Sequence, residues 1–541
     1  MRHRYRLLAS LGLLLGTTFA VFALLEVSPG GSAAAYVQSP SSSANTIAEL
    51  QRELGPGRPM VVRYVIWVSH VLRGDLGWSP NNSEPVSLAI SERLPATIEL
   101  TGATLVTAVV LGAILGVARA RAPAPMVRNV FAGTQLLVRS IPIIVFAMAF
   151  VLLVALAVPS LGFGIASVDG FDFLDRLRHL VAPVLCLAIP FSAWMSVIFY
   201  DFFRTAEDAS RTLGRSFLKP VTLSIALVGP AVLAACLLIE PMFAWPGVAR
   251  IFHAGLTTYD SGVTAGCLLI SCAALVLARL VADLASIAPG QALPHRPNSQ
   301  RINAAVAVPI VVLLAAGLGA VTANVIGSGD PYYIDQANWV GYPLAPGVAG
   351  HPLGTDENGR DLFSRLLFGL RTSLGIAAFA ALIASAIAFA GAHATRALRP
   401  VDATASLSVV GIRAFGGLPL VLAFVAVLVV HSHTTRLLTP VVIALVISAV
   451  LWPGIVPAFR TRSSATLGAM VNVMGCALLL EFAQSAIGFG VQSPTPSLGN
   501  MLANAVSNIT IAPWIPVVPT VAVVAVRAAL YALGDQLQQR A

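Results

Sequence analysis

Charged residues are scarce in this 541-residue chain. They make up only 11% of the sequence, whereas hydrophobic residues make up 57% and the mean hydropathy is +0.83. A soluble globular protein carries about 25% charged residues. The composition therefore excludes an ordinary soluble domain and predicts a protein whose side chains mostly face lipid or one another.

Lysine is almost absent. Of the 33 basic residues, Lys219 is the single lysine, and it follows Arg-Ser-Phe-Leu instead of a glycine-rich turn. A Walker A loop needs a lysine directly after its glycines, so the chain has no such loop and does not hydrolyse ATP by that route. No Ser-His-Asp, paired-carboxylate or Cys-His pattern stands out either, and we predict no enzymatic activity.

Metal-ligand patterns are also lacking. The five cysteines lie in apolar runs, and none is spaced with another cysteine or a histidine as in a metal site. His431 and His433 flank a short turn, but two histidines are too few to define a metal site. We therefore expect no metal and no cofactor.

Long apolar runs dominate the chain. Each reaches or approaches the roughly 20 apolar residues that a membrane-spanning helix needs. The sequence predicts an all-α polytopic membrane protein with about twelve such helices. The predicted spans are 7–26, 98–118, 130–157, 179–200, 220–240, 262–283, 303–326, 372–394, 404–430, 437–458, 468–487 and 514–533.

The distribution of arginine predicts the topology. With the amino terminus in the cytoplasm, the inside segments carry an excess of basic residues and the outside segments an excess of acids, as the positive-inside rule requires. Both termini are then cytoplasmic, and the net charge of +9 reflects topology instead of a nucleic-acid surface. Residues 1–27 resemble a signal peptide, but the apolar run is long enough to span, and we expect a retained helix.

The chain repeats itself. We predict a first half at 1–290, a cytoplasmic linker at 291–302 and a second half at 303–541, each half with six spans. The longest outside segments, 27–97 and 327–371, stand at corresponding places in the two halves. An even number of spans restores the same orientation, so the repeats are parallel.

A polar elbow, residues 351–375, precedes an apolar span in the second half. Gly354, Asn358 and Gly359 are turn formers, Asp356 is placed to cap the next helix, and a short amphipathic helix is predicted from Asp361 onward. The elbow closely resembles the segment before the second membrane helix in permease subunits of the dipeptide/oligopeptide/nickel family of bacterial ABC importers. The residues that carry this motif are Gly354, Thr355, Asp356, Gly359, Arg360, Asp361 and Arg365.

Further motifs extend the resemblance to both halves. The first half resembles one permease subunit through Arg93-Leu-Pro-Ala-Thr97 and Phe243-Ala-Trp-Pro-Gly247, and the second resembles the partner subunit through Pro494-Thr-Pro-Ser-Leu-Gly-Asn500. The resemblance implies two MetI-like (type I importer) permease repeats fused in one chain of the bacterial cytoplasmic membrane. It also implies import of a small solute, typically a short peptide. Two cytoplasmic ATPase domains would drive the transport, and an extracytoplasmic binding protein would deliver the solute.

The segments expected to contact the ATPases depart from the family pattern. The family carries a cytoplasmic Glu-Ala-Ala…Gly loop, of which Glu207, Asp208, Ala209 and Gly214 form a shortened version in the first half. In the second half only a short loop with Arg460 and Arg462 joins two spans. Coupling through the first half, coupling through unusual surfaces, and a degenerate, uncoupled permease acting as a membrane scaffold all remain open.

Several charged residues are candidates for the pore or its gate. Arg139 before Pro142 and Arg413 before Pro419 occupy matching places. They either line the pathway near broken helices or reach the cytoplasmic interface by snorkelling. Glu240 and Glu481, at the outward ends of matching spans, either pair with arginines of an outer gate or cap neighbouring loops. An ion-coupled secondary transporter is disfavoured because no acid is placed in the middle of a span.

Overall fold

The computed structural model describes residues 58–157, 173–205, 217–285, 304–334, 343–397, 439–455, 463–503 and 511–539, with a few positions omitted inside these ranges, and a few positions among the first 26. The chain forms two compact units, the first built mainly from residues before 290 and the second mainly from residues after it. The predicted half and linker boundaries stay predictions.

Helices dominate the described residues. Up to residue 285 the elements are α1 (Met60–Leu72), β1 (Trp78–Ser79), β2 (Glu84–Pro85), α2 (Val86–Arg121), α3 (Pro125–Ser140), α4 (Ile143–Ala157), α5 (Phe173–Thr205), α6 (Leu218–Met242), α7 (Val248–Thr257) and α8 (Ser261–Ala285). The elements from residue 304 are α9 (Ala304–Val321), α10 (Ala323–Ile326), α11 (Leu362–Ala397), α12 (Thr439–Ile455), α13 (Ser463–Ala486), α14 (Asn500–Ala503) and α15 (Trp514–Gln539). Strands β1 and β2 pair as a two-stranded antiparallel hairpin, with Trp78 opposite Pro85.

Corresponding helices of the two halves have the same length. Both α2 and α11 have 36 residues, and both begin about three turns before the predicted spans. The extra turns are helical because their apolar side chains are buried, as for Val86 and Leu362. At 1.5 Å per residue each helix is about 54 Å long, which exceeds the roughly 40–45 Å of a whole bilayer. Each helix is therefore longer than a crossing perpendicular to the bilayer requires.

Small residues let α2 approach α5 closely. Thr104, Ala108, Gly112 and Gly116 recur every fourth position and are buried on one face of α2. A Cβ atom at Gly116 would lie 2.6 Å from Phe199 Cβ, so the two helices meet where no side chain intervenes. Gly112 and Gly116 form the small-xxx-small pattern that brings membrane helices together.

The matching face of α11 uses alanine instead of glycine. Ala384, Ala388 and Ala392 are buried there and cluster with Ile455 at the end of α12, with Trp452 packed against them. The small-residue face is thus present on both helices, and it packs against the helix of the fourth predicted span in each half, α5 and α12.

Five helices among the described residues are long and apolar enough to cross a membrane. They are Val86–Arg121, Leu174–Arg204, Leu362–His393, Thr466–Ala486 and Trp514–Gln538, and the bent pair Leu218–Ala226 and Val228–Met242 would make a sixth. Shorter apolar helices include Ala307–Val321 and Thr439–Ser448. The protein is therefore a largely helical membrane protein, whereas the predicted span 404–430 and most of 7–26 lie outside the described residues.

The predicted span 130–157 contains two helices. Helix α3 ends at Ser140 and α4 begins at Ile143. The sequence has Pro142 between them, and proline lacks the backbone N–H that continues a helical ladder.

The close contact of α2 with α5 gives a stability prediction. We expect Gly116→Leu to lower the apparent melting temperature of the purified protein in detergent by several degrees, because overpacking a tight interface costs about 1–3 kcal/mol. Gly102→Leu is the matched control, since a Cβ there has nothing within 4 Å. Equal melting temperatures for the two variants would contradict the packing described here.

Candidate functional site

Asp356 is the centre of the elbow that precedes α11. It is buried, and its Oδ1 accepts hydrogen bonds from the backbone N–H groups of Asn358 (2.9 Å) and Arg360 (3.0 Å). Its Oδ2 accepts from Arg360 Nε at 2.7 Å and lies 3.2 Å from Arg365 Nε. Both arginines are buried as well. One carboxylate therefore pairs with two buried guanidinium groups and fixes the turn, and Glu357 Oε1, 3.7 Å from Arg360 Nη2, adds a second negative charge.

The helix cap is Asp361, and the expectation that Asp356 caps the helix is wrong. Asp361 Oδ2 accepts from Ser364 N at 2.8 Å, the standard N-cap bond. Its Oδ1 lies 2.9 Å from His351 Nδ1. Asp361 directly precedes the first helical residue, while Asp356 lies too far upstream and is occupied by the turn.

Gly354 and Gly359 permit this tight path. Their φ angles are +78° and +76°, in the region that glycine adopts without strain. A Cβ at Gly354 would lie 2.9 Å from the indole nitrogen of Trp514, the first residue of α15. The same indole donates to the carbonyl of the buried Thr355 at 3.3 Å. The elbow is thus held against the start of the last helix of the second unit.

Glu240, near the end of α6, organises a different turn, in the first unit. Its side chain is fully buried. Oε1 accepts from the hydroxyl of Thr97 on α2 at 2.7 Å, and Oε2 accepts from Ala249 N, in the first turn of α7, at 2.7 Å. The Thr97 hydroxyl in turn accepts from Val248 N at 2.9 Å. Two of the N–H groups that a helix leaves unsatisfied at its start are thereby bound.

Trp245 and Gly247 complete this turn. The Trp245 indole donates to the carbonyl of Ala96 on α2 at 2.9 Å. A side chain at Gly247 would collide with the Glu240 carboxylate, which explains the glycine of the Phe-Ala-Trp-Pro-Gly segment.

On α7 itself, burial lowers the pKa of His253, so its imidazole is neutral near pH 7.

Glu481, near the end of α13, is the counterpart in the second unit. It is fully buried, and its Oε1 accepts from Ser485 Oγ at 2.8 Å. The hydroxyls of Ser373 and Ser497 also face the carboxyl group. Ser373 on α11 accepts from Leu498 N at 3.1 Å, as Thr97 accepts from Val248 N. Asn500 closes the loop by donating to the carbonyl of Val491 at 3.1 Å.

The two units therefore share one arrangement. In each, a hydroxyl on the 36-residue helix binds the backbone N–H of a later turn and faces a buried glutamate near the end of another helix. Among the described residues, no arginine guanidinium is a hydrogen-bond partner of Glu240 or Glu481, and Arg250 faces Glu240 through its backbone N–H alone. The sequence analysis assigned no role to Thr97 or Ser373. The signal that could have found them is that they occupy corresponding positions in the two halves of the chain.

The remaining candidates are not brought into this arrangement. Arg139 lies on α3, and nothing is described of its side chain. The other pore candidates, Pro142, Arg413 and Pro419, lie outside the described residues. So do the coupling candidates Glu207, Asp208, Ala209, Gly214, Arg460 and Arg462. Among the described residues, no group of three or more potential metal ligands is found.

No family model matches the chain. Comparison with individual known proteins, however, identifies its family. A Brucella suis protein named as a peptide permease is 31% identical over 305 residues, covering 52% of this chain and 95% of the relative. The oligopeptide transport system permease protein AppB of Bacillus subtilis is 26% identical over 300 residues, which cover 52% of this chain and 94% of AppB. For the dipeptide transport system permease protein DppB of Escherichia coli the identity is 27% over 311 residues, covering 50% and 91%.

The chain belongs to the family of peptide ABC transporter permeases. Each relative is matched over nearly its whole length by only about half of this chain. The polypeptide is therefore about twice as long as a single such permease, as expected for a fusion of two permease subunits.

The elbow predicts an order of stability losses. We expect Asp356→Ala to cost about 3–5 kcal/mol, because it leaves two buried guanidinium groups without their shared carboxylate. Asp361→Ala removes a helix cap and should cost about 0.5–2 kcal/mol. Thermal unfolding of the purified chain measures both. Equal losses, or a larger loss for Asp361→Ala, would contradict the assignment of roles.

The hydrogen bonds of Glu240 predict that changing this residue alters hydrogen exchange at the start of α7. A glutamine at this position keeps the shape but replaces one acceptor oxygen with a donor amide, so one of the bonds to Thr97 or Ala249 is lost. Losing a buried partner costs about 1–3 kcal/mol. We expect Glu240→Gln to accelerate hydrogen exchange at residues 248–250, measured by mass spectrometry.

The control is Glu92→Gln on α2, where the side chain is 56% exposed. It should leave exchange at 248–250 unchanged. Similar acceleration in both variants would mean that Glu240 does not fix the start of α7.

Proposed function

We propose that this chain forms the complete translocation pathway of an ABC importer for di- or oligopeptides. The relatives that support the solute class are named as peptide, oligopeptide and dipeptide permeases. The proposal includes about twelve membrane-spanning helices in two MetI-like repeats, with both termini in the cytoplasm.

The observation that carries the proposal is the combination of family membership with a doubled length. Relatives matched over 91–95% of their length align to about half of the chain. The equal lengths of α2 and α11, and the shared hydroxyl–glutamate arrangement, support a second half of the same kind. One polypeptide would then supply both halves of the pore.

Separate subunits supply energy and solute in this proposal. Cytoplasmic ATPase subunits hydrolyse ATP, since the chain has no Walker A lysine, and an extracytoplasmic binding protein delivers the peptide. The shortened loop with Glu207, Asp208, Ala209 and Gly214 is the proposed contact with one ATPase, and the loop with Arg460 and Arg462 the contact with the other. Arg139, Pro142, Arg413 and Pro419 are proposed to lie along the pathway.

Buried carboxylates give the proposed transporter fixed turns at one end of its long helices. Glu240 and Glu481 hold the turns after α6 and α13 against α2 and α11. In the proposed topology these turns face the extracytoplasmic side. Each turn is fixed within its own unit, on the side where a binding protein would release its solute.

Reconstitution tests the proposal. The full chain, its ATPase subunits and the binding protein in liposomes should show peptide-stimulated ATP hydrolysis and uptake of labelled peptide. An ATPase variant that cannot hydrolyse ATP is the control. A chain that never retains an ATPase on purification, and shows no stimulated hydrolysis, would contradict the proposal and support the uncoupled scaffold.

Coupling of the ATPase subunits to the loop of the first half can be tested separately. We expect Glu207→Arg to reduce retention of the ATPase subunits and uptake together, because it reverses a charge at the proposed contact. Arg460→Glu tests the second loop in the same way, and pull-down with quantified ATPase measures both. If neither variant changes retention, the ATPases bind elsewhere on the chain.

A further inference from the structure

A groove of about 670 Å³ lies within the second unit. It is walled by α9 and α11, with Met474 of α13 and Leu530 of α15 also lining it. The small residues that make room for it are Ala316, Gly317, Ala320, Gly375 and Ala378. A Cβ at Gly317 or Gly375 would meet nothing within 4 Å, so the space in front of both glycines is open.

The lining of this groove does not suit water. At about 30 Å³ per water molecule the space would hold roughly 20 waters, and each ordered water needs two to four polar partners. Arg371 is the one polar side chain among the residues that line the groove. A largely apolar space between membrane helices is suited to hydrocarbon.

Arg371 gives the groove a charged end. Its side chain is exposed, and its Nη1 donates to Asn324 Oδ1 at 3.3 Å. Asn324 lies just after Val321, the last residue of α9. The hydrogen bond to Asn324 therefore places the Arg371 guanidinium near the end of this apolar helix. Within the described part of the chain, Arg371 forms no ion pair with a carboxylate. Arginines at this depth meet lipid phosphates.

The surface of α9 beside the groove is exposed and apolar. Val321, which lines the groove, is 79% exposed, and Leu314 and Leu318, which lie outside its lining, are 66% and 64% exposed. Such side chains beside an open groove are compatible with lipid on the same surface, and the cation at one end adds a headgroup contact.

We propose that this groove binds an anionic phospholipid, with one acyl chain along the small residues of α9 and α11 and the phosphate at Arg371. In the proposed topology the lipid belongs to the extracytoplasmic leaflet. The site does not depend on which solute is carried, so it can hold even if the transport proposal fails.

Native mass spectrometry of the full chain tests the site. The protein is purified from bilayers of phosphatidylglycerol and phosphatidylethanolamine, and retained lipid is counted. We expect about one phosphatidylglycerol per wild-type chain. Gly375→Leu should lose it, because the leucine enters the groove. Arg371→Gln should lower the preference for phosphatidylglycerol about fivefold, the equivalent of about 1 kcal/mol for one surface arginine.

The matched control is Gly102→Leu on α2, which also places a leucine in open space but outside this groove. It should retain lipid as the wild type does. Equal retention in Gly375→Leu and Gly102→Leu would overturn the proposal. So would wild-type protein without retained lipid, the result expected if another segment of the chain fills the groove. An unchanged lipid preference in Arg371→Gln would overturn the phosphate contact.

Discussion

Buried carboxyl groups fix the turns of this protein, because an oxygen removed from water is stabilised when it accepts a hydrogen bond. Asp356, Asp361 and Glu240 each have partners on both oxygens, whereas Oε2 of Glu481 has no hydrogen-bond partner among the described residues. Asp356 collects two backbone N–H groups and two guanidinium groups. Asp361 and Glu240 each bind an N–H in the first turn of a helix. The loops are therefore fixed by hydrogen bonds to a few buried carboxyl groups, together with buried apolar side chains such as Phe243 and Trp245.

The same requirement accounts for the residues around each acid. The glycine at position 247 is needed because the Glu240 carboxylate occupies the space of a side chain. Thr97 carries a hydroxyl because this group can donate to Glu240 while it accepts from Val248 N, and Ser373 accepts from Leu498 N in the same way. Motifs that read as ordinary loop sequence are thus parts of one hydrogen-bonded unit in each half.

The sequence was informative where a single residue type decides the outcome. Gly354 and Gly359 were expected in turns and adopt positive φ, and the long apolar runs that the structure describes are mostly helical. It was less informative where two residues compete for one role. Asp356 and Asp361 are both plausible caps, and only the distance to Ser364 N distinguishes them. Buried partners such as Thr97 and Glu240, 143 positions apart, have no local pattern.

The glycines of α2 and the alanines of α11 are not interchangeable. Helices that meet at glycine can approach more closely than helices that meet at alanine. A Cβ at Gly112 would lie 2.8 Å from Met195 Cβ, and a Cβ at Gly116 would lie 2.6 Å from Phe199 Cβ. Alanines such as those buried on α11 could therefore not replace the two glycines unless α5 moved away from α2.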